Sequence, residues 1–118
     1  MTREEASRNY QIPIEILDEY ESWGLCGSVK QVMGRWQYDD QDLDRLSLIM
    51  VLHDVGLSAP EIEGYMRLTL LESGSAQRRM NILNALREQK LDEIHLKEIQ
   101  LERLDYLRCR LRSQGAKG

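Results

Sequence analysis

The chain has 118 residues, 42% of them hydrophobic and 31% charged, with a net charge of −4 at pH 7. This length fits one small domain with an extended element, and the ordinary apolar content excludes a disordered chain. The longest apolar runs, LSLIMVL and LTLL, are too short to cross a bilayer, and the charged N-terminus lacks the hydrophobic centre of a signal peptide. We therefore expect a cytoplasmic protein that has no membrane partner.

The charge is divided unevenly along the chain. Residues 1–70 carry six Lys and Arg against thirteen Asp and Glu, whereas residues 71–118 carry ten against seven. Nucleic-acid binding draws much of its affinity from cations that meet phosphates. The acidic front half therefore argues against strong non-specific affinity for DNA.

The first elements in chain order are two short helices and a hairpin. A helix over residues 3–10 has few apolar anchors, and a second begins at Pro13 and ends before Gly24. The second helix exposes a crowd of acidic residues, which are Glu15, Asp18, Glu19 and Glu21. The stretch CGSVKQVMGRWQY, with two glycines around β-branched and aromatic residues, predicts a hairpin of two short strands.

Two amphipathic helices follow. The first is capped by Asp39 or Asp40, and its apolar face ends at Gly56. The second opens with Ser58 as N-cap and Glu61 at the capping-box offset, and it stops at Gly74.

From residue 75 to residue 113 nothing interrupts a helix, which would be about 60 Å long. One apolar stripe consists of Leu91, Ile94, Leu101, Leu104 and Leu111, and a second beside it of Leu96, Ile99, Tyr106 and Leu107. A domain of about 70 residues cannot cover both stripes, so we predict a homodimer joined by a coiled coil. The alternative, a helix that folds back on its own chain, lacks a Gly or Pro at which to reverse.

The chain contains three motifs, YESWGL, GRWQY and DDQDLDRLSLIMVLHDVGLSAPEIEGYM, and a charged heptad-like helix follows them. In this order they resemble the MerR (mercury-resistance regulator) family of transcription regulators. Tyr20, Glu21, Gly24 and Leu25 match the end of the family's second helix, and Tyr38 matches the tyrosine that closes its wing. The resemblance implies an all-α fold with a small β-hairpin wing: a winged helix-turn-helix domain over residues 1–73, an antiparallel coiled-coil dimerisation helix over 75–113, and a disordered tail over 114–118.

The resemblance also implies that the second helix enters the DNA major groove and that the wing reaches the neighbouring backbone or minor groove. The candidate DNA contacts are Arg3, Arg8, Tyr20, Lys30, Arg35 and Trp36. Core packing is the alternative for Tyr20 and Trp36, and a solvated hairpin is the alternative for Lys30 and Arg35.

The second helix departs from the family at its charged positions. The family usually places arginines where this chain has Glu15 and Asp18, and a tyrosine where it has Glu19. Gln11 stands where the family prefers glycine. Because carboxylates repel phosphates, each charge reversal would cost roughly a few kcal/mol of DNA affinity.

Family members sense metals through clustered cysteines, but Cys109 has no second cysteine after it, and Ser75 occupies the approximate position of another ligand cysteine. One thiol cannot build such a site, so no metal, other cofactor or effector domain is expected. We also expect no enzymatic activity, because neither His53 nor His95 lies beside a nucleophile or a pocket that the sequence reveals.

Two functions remain open. The first is a homodimeric DNA-binding transcriptional regulator whose partners are promoter DNA and a second copy, with RNA polymerase or a related regulator as a further candidate. The second is a protein-interaction module, such as an anti-regulator, that has the same fold but has lost DNA recognition. It would bind its partner through the acidic second helix.

Overall fold

The computed structural model describes residues 1–25, 31–32 and 35–117, with side chains for residues 1–25 and 37–115. The chain divides into two compact units, Met1–Ser75 and Ala76–Gly118. In its described residues, the first unit contains helices α1 (Arg3–Tyr10), α2 (Ile14–Ser22), α3 (Asp40–Asp54) and α4 (Ala59–Leu71), and strands β1 (Gln31–Val32) and β2 (Arg35–Trp36). The second unit is formed by α5 (Ala76–Lys117). The predicted all-α class is confirmed.

Capping boxes begin both α3 and α4. The sequence predicts the box of Ser58 and Glu61, and for α3 it predicts only that Asp39 or Asp40 is the cap. Asp39 and Asp42 each accept a hydrogen bond from the other's backbone N–H, at 2.9 and 3.0 Å. Ser58 and Glu61 make the same exchange at 3.4 and 3.0 Å. The backbone and side-chain hydrogen bonds of Ser58 lower the pKa of the Glu61 carboxyl, because they favour its charged form. Each N-cap contributes about 1 kcal/mol to stability.

The turn from α1 to α2 contains a strained residue. Gln11 closes α1 in the left-handed region, with φ 55° and ψ 40°. There the Cβ atom of an L-residue crowds the following carbonyl oxygen, at a cost of roughly 1–2 kcal/mol. This geometry explains why a glycine suits the position.

The core of the first unit is built from all four of its helices. α2 packs on α1 and α3, and α3 packs on α4. The buried apolar residues are Ala6, Ile12, Leu17, Tyr20, Leu25, Tyr38, Leu46, Ile49, Leu52, Leu57, Ile62, Tyr65 and Met66. This core fixes the outward faces of α1 and α2.

Strands β1 and β2 pair antiparallel, with Gln31 opposite Trp36 and Val32 opposite Arg35. They fall inside the stretch for which the sequence predicts a hairpin. Residues 26–30 and 33–34 lie outside the described residues, so a hairpin that serves as a wing stays a prediction.

Helix α5 is longer than the sequence predicts. It contains 42 residues, which corresponds to about 63 Å. The predicted disordered tail of residues 114–118 is helical as far as Lys117, because Gln114 and Ala116 tolerate a helix and Gly115 costs only about 1 kcal/mol there. Among the helices that the structure describes, none has the length and apolar character needed to cross a membrane.

Candidate nucleic-acid interface

Helix α2, the candidate recognition helix, is anchored on the core by Leu17 and Tyr20, which have no exposed surface. Its sequence, IEILDEYES, contains four acidic residues and no basic one. The partners of these four carboxylates decide how much negative charge the helix presents.

Two of the carboxylates are held by an arginine of α1. The Arg3 guanidinium pairs with Asp18, and its Nε lies 3.2 Å from Glu21 Oε1 without the alignment of a hydrogen bond. Burial acts to lower the pKa of Arg3, but the attraction of Glu21 and the hydrogen bond to Asp18 outweigh it and raise that pKa above its usual value. Arg3 therefore stays charged and joins α1 to α2. The predicted DNA contact through Arg3 would require these pairs to break.

Glu21 has a second partner in the segment before α3. The Tyr38 hydroxyl donates to Glu21 Oε1. The backbone of Tyr38 is paired with Met1, through N···O distances of 2.7 and 3.1 Å. The chain around Tyr38 is thus tied to the N-terminal residue, just before α1, and to α2, a connection that sequence reasoning missed. The signal available in the sequence was Glu21 itself, an acidic residue that has Tyr20 before it and Tyr38 after it in the chain.

Tyr20 belongs to a buried polar cluster. Its hydroxyl donates to Asp42 Oδ1 at 2.6 Å and accepts from Arg45 Nη1 at 3.5 Å, the long limit of a hydrogen bond. Its ring centroid lies 6.4 Å from that of Tyr38. A side chain with no exposed surface cannot contact DNA. The prediction of Tyr20 as a DNA contact is therefore wrong, and the alternative of core packing is correct.

Glu19 and Glu15 differ in their surroundings. Glu19 Oε2 lies 3.0 Å from His53 Nε2 of α3, a contact that becomes an ion pair when His53 is protonated. Glu15 is exposed and has no side-chain partner among the described residues. Three of the four carboxylates of α2 are thus engaged within the first unit. The sequence alone overstates the charge that α2 offers to a partner.

The remaining candidate contacts lie in α1 and the hairpin. Arg8 is exposed in the last turn of α1, and within the described side chains it has no ion pair. Arg35 and Trp36 belong to β2, but their side chains are outside the described ones, as is all of Lys30. The contacts predicted for these residues stay predictions.

In the part of the chain that the structure describes, no group of three His, Cys, Asp or Glu side chains is arranged to hold a metal ion. Cys109 is a free, exposed thiol on α5.

A comparison with protein families gives one match, to the family described as MerR HTH family regulatory protein, over residues 1–69. This span is more than half of the chain and extends from α1 into α4. The chain belongs to the MerR family. MerR membership supports a helix-turn-helix DNA-binding regulator, and MerR regulators are generally not enzymes. Comparisons with curated proteins and with solved structures found no match.

Proposed function

We propose that this MerR-family chain is a DNA-binding transcriptional regulator that acts as a homodimer. The observation that carries the proposal is the family match over residues 1–69, which includes the whole of α1, α2 and α3. In the proposed complex, α2 lies in the major groove and the hairpin of β1 and β2 acts as a wing on the neighbouring backbone or minor groove.

The acidic character of α2 does not forbid this arrangement. Arg3 offsets charge at Asp18 and Glu21, and His53 faces Glu19. In the proposed complex, the cations predicted as DNA contacts meet the phosphates. They are Arg8 at the end of α1, and Lys30 and Arg35 of the proposed wing, with Trp36 as a further predicted contact. Because each phosphate contact contributes about 0.9 to the slope of log affinity against log salt, so few cations imply a shallow dependence on salt.

The homodimer is proposed from the exposed apolar stripe of α5. Its five members are between 42% and 68% exposed and are Leu91, Ile94, Leu101, Leu104 and Leu111. Full burial of such a side chain gains about 1.5–3 kcal/mol, and these side chains, which are roughly half exposed, would gain about half of that each. Ten of them in two chains favour association, against which the entropy cost of bringing two chains together must be set. An antiparallel coiled coil would hold the two helix-turn-helix domains apart on one operator.

DNA binding is tested by a gel shift with the gene's own upstream region at low salt. We expect a shifted band that weakens with Arg8→Glu or Arg35→Glu. The matched control is Arg112→Glu, which makes the same charge change at an exposed position on α5. The absence of a band for the unchanged protein would contradict DNA binding.

The dimer is tested by sedimentation at micromolar concentration, where we expect twice the chain mass of 13.8 kDa. Leu101→Asp should shift the protein to the single-chain mass because it places a charge in the apolar stripe. Gln100→Asp introduces the same side chain one residue away and should leave the dimer intact.

A second candidate function is the protein-interaction module, and one observation favours it. Asp18 stays 59% exposed even while it binds Arg3, and Glu15 is exposed and has no partner among the described side chains, so α2 still presents carboxylates. Glu15→Arg separates the two functions. If α2 lies in the groove, this change should strengthen the gel shift. If α2 binds a protein, the unchanged chain should give no shift and Glu15→Arg should weaken its complex with that protein.

A further inference from the structure

The outward face of α2 contains one carboxylate that the rest of the first unit does not engage. Leu17 and Tyr20 bury one side of α2 in the core, so the residues on the opposite side face outward. These residues follow the i, i+3, i+4, i+7 spacing of a single helix face and are Glu15, Asp18, Glu19 and Ser22. Within the part of the chain that the structure describes, the Glu15 side chain has no partner. Its carboxylate is therefore open to a ligand.

The cations beside this face lie on its two flanks. Arg3 of α1 pairs with Asp18, and His53 Nε2 of α3 lies 3.0 Å from Glu19 Oε2. Consecutive side chains point about 100° apart around a helix, so α1 and α3 reach α2 from opposite sides. Glu15 precedes Asp18 by three residues and Glu19 by four, which places it between them around the helix and one turn nearer its start.

This arrangement suits a helix that lies in the major groove. There the centre of the outward face meets the base edges, and the flanks are nearer the phosphates of the two strands. The carboxylates on the flanks, Asp18 and Glu19, are the ones with a cation or a histidine beside them. Glu15 lies in the first turn of α2, and the N-terminal residues of a recognition helix are those that contact bases.

The chemistry of a carboxylate restricts which base it can contact. An ionised carboxylate only accepts hydrogen bonds, and phosphates have no hydrogen to donate. In the major groove the donors are the N4 amino group of cytosine and the N6 amino group of adenine. Adenine places the acceptor N7 beside its amino group, where it would repel the second carboxylate oxygen, whereas cytosine has no acceptor of its own there. Cytosine is therefore the base that Glu15 fits.

We propose that Glu15 is a specificity-determining residue that accepts a hydrogen bond from the N4 amino group of a cytosine. This inference rests on the proposed DNA-binding function and names a base that α2 selects. Repulsion from the phosphates lowers the affinity of Glu15 for every duplex, and the hydrogen bond restores part of it only where cytosine is in place. Glu15→Arg therefore strengthens binding in general but removes the preference for cytosine.

Binding-site selection from a pool of random duplexes at low salt tests this preference. The unchanged protein should enrich sites with a position at which cytosine is preferred about tenfold over the other bases. Glu15→Gln should move the preference at that position to adenine, because glutamine pairs with both N6 and N7 of adenine. The matched control is Glu4→Gln, which makes the same change at an exposed residue in the first turn of α1 and should keep cytosine.

A modified base tests the hydrogen bond itself. In a selected duplex, the cytosine is replaced by 2-pyrimidinone, which differs from cytosine only in lacking the amino group. Fluorescence anisotropy should show that the unchanged protein and Glu4→Ala bind this duplex about tenfold more weakly than the original. Glu15→Ala should bind both duplexes equally. The same tenfold loss in Glu15→Ala would overturn the proposal, because another residue would then contact the amino group.

The outcomes separate the role of Glu15 from DNA binding itself. If the protein binds duplexes without a base preference, or if Glu15→Gln keeps the preference of the unchanged protein, the role of Glu15 is wrong and DNA binding stands. If the unchanged protein enriches no sequence and binds no duplex at low salt, both are wrong.

Discussion

The replacement Tyr20→Phe removes one buried hydroxyl from beneath α2 and leaves the ring in place. The lost interaction is a hydrogen bond to a carboxylate at 2.6 Å, and Asp42, which accepts it, is only 1% exposed. Hydrogen bonds to charged groups contribute about 1.5–3 kcal/mol. We expect a loss of that size in the free energy of unfolding. In a unit of this size, a loss of 1 kcal/mol lowers Tm by about 4–8 °C.

The assay is urea and thermal unfolding followed by tryptophan fluorescence. Trp23 and Trp36 both belong to the first unit, so the signal reports on that unit and not on α5. The matched control is Tyr10→Phe, because Tyr10 is 52% exposed. Equal stability of the Tyr20→Phe and Tyr10→Phe variants would refute the structural role of Tyr20. If Tyr20→Phe lowered the DNA affinity without lowering the stability, Tyr20 would instead have to be a DNA contact.

Three further predictions concern the first unit. Arg3→Gln should lower its stability because two carboxylates lose their cation, whereas Arg8→Gln should not; urea unfolding measures both. Gln11→Gly should raise stability by about 0.5–1 kcal/mol, because glycine tolerates the left-handed turn; an unchanged or lower stability would contradict the strain. Because the pKa of Glu61 is lowered in the fold, its stabilising effect is present above its usual value of 4.5 and is lost as pH falls. The stability difference between the unchanged protein and Glu61→Gln should therefore shrink in acid, and a constant difference would count against the capping role.

Local patterns allowed the helices to be predicted from the sequence. The bounds of α1 were predicted correctly, and the caps at Asp39 and Ser58 follow from side-chain hydrogen bonds that span only three residues. Such signals can be recognised in the sequence because they depend on residues that are close together in the chain. The end of α5 was placed four residues early, because a single glycine near a helix end is a weak stop.

The candidate interface was harder to predict because its contacts join distant parts of the chain. The pairing of Arg3 with Asp18 spans fifteen residues, and that of Glu19 with His53 spans thirty-four. Tyr20 matched a family motif equally well as a core residue and as a contact. Burial decides between the two roles, and burial depends on the packing of α2 against α3, which no local pattern records.

Sedimentation of the protein with a labelled duplex from its upstream region tests the proposed regulator most directly, since one experiment measures both DNA binding and the number of chains bound. We predict a complex that contains one duplex and two chains, each of 13.8 kDa, at low salt. A duplex that sediments alone beside the free protein, or one that carries a single chain, would contradict the proposal.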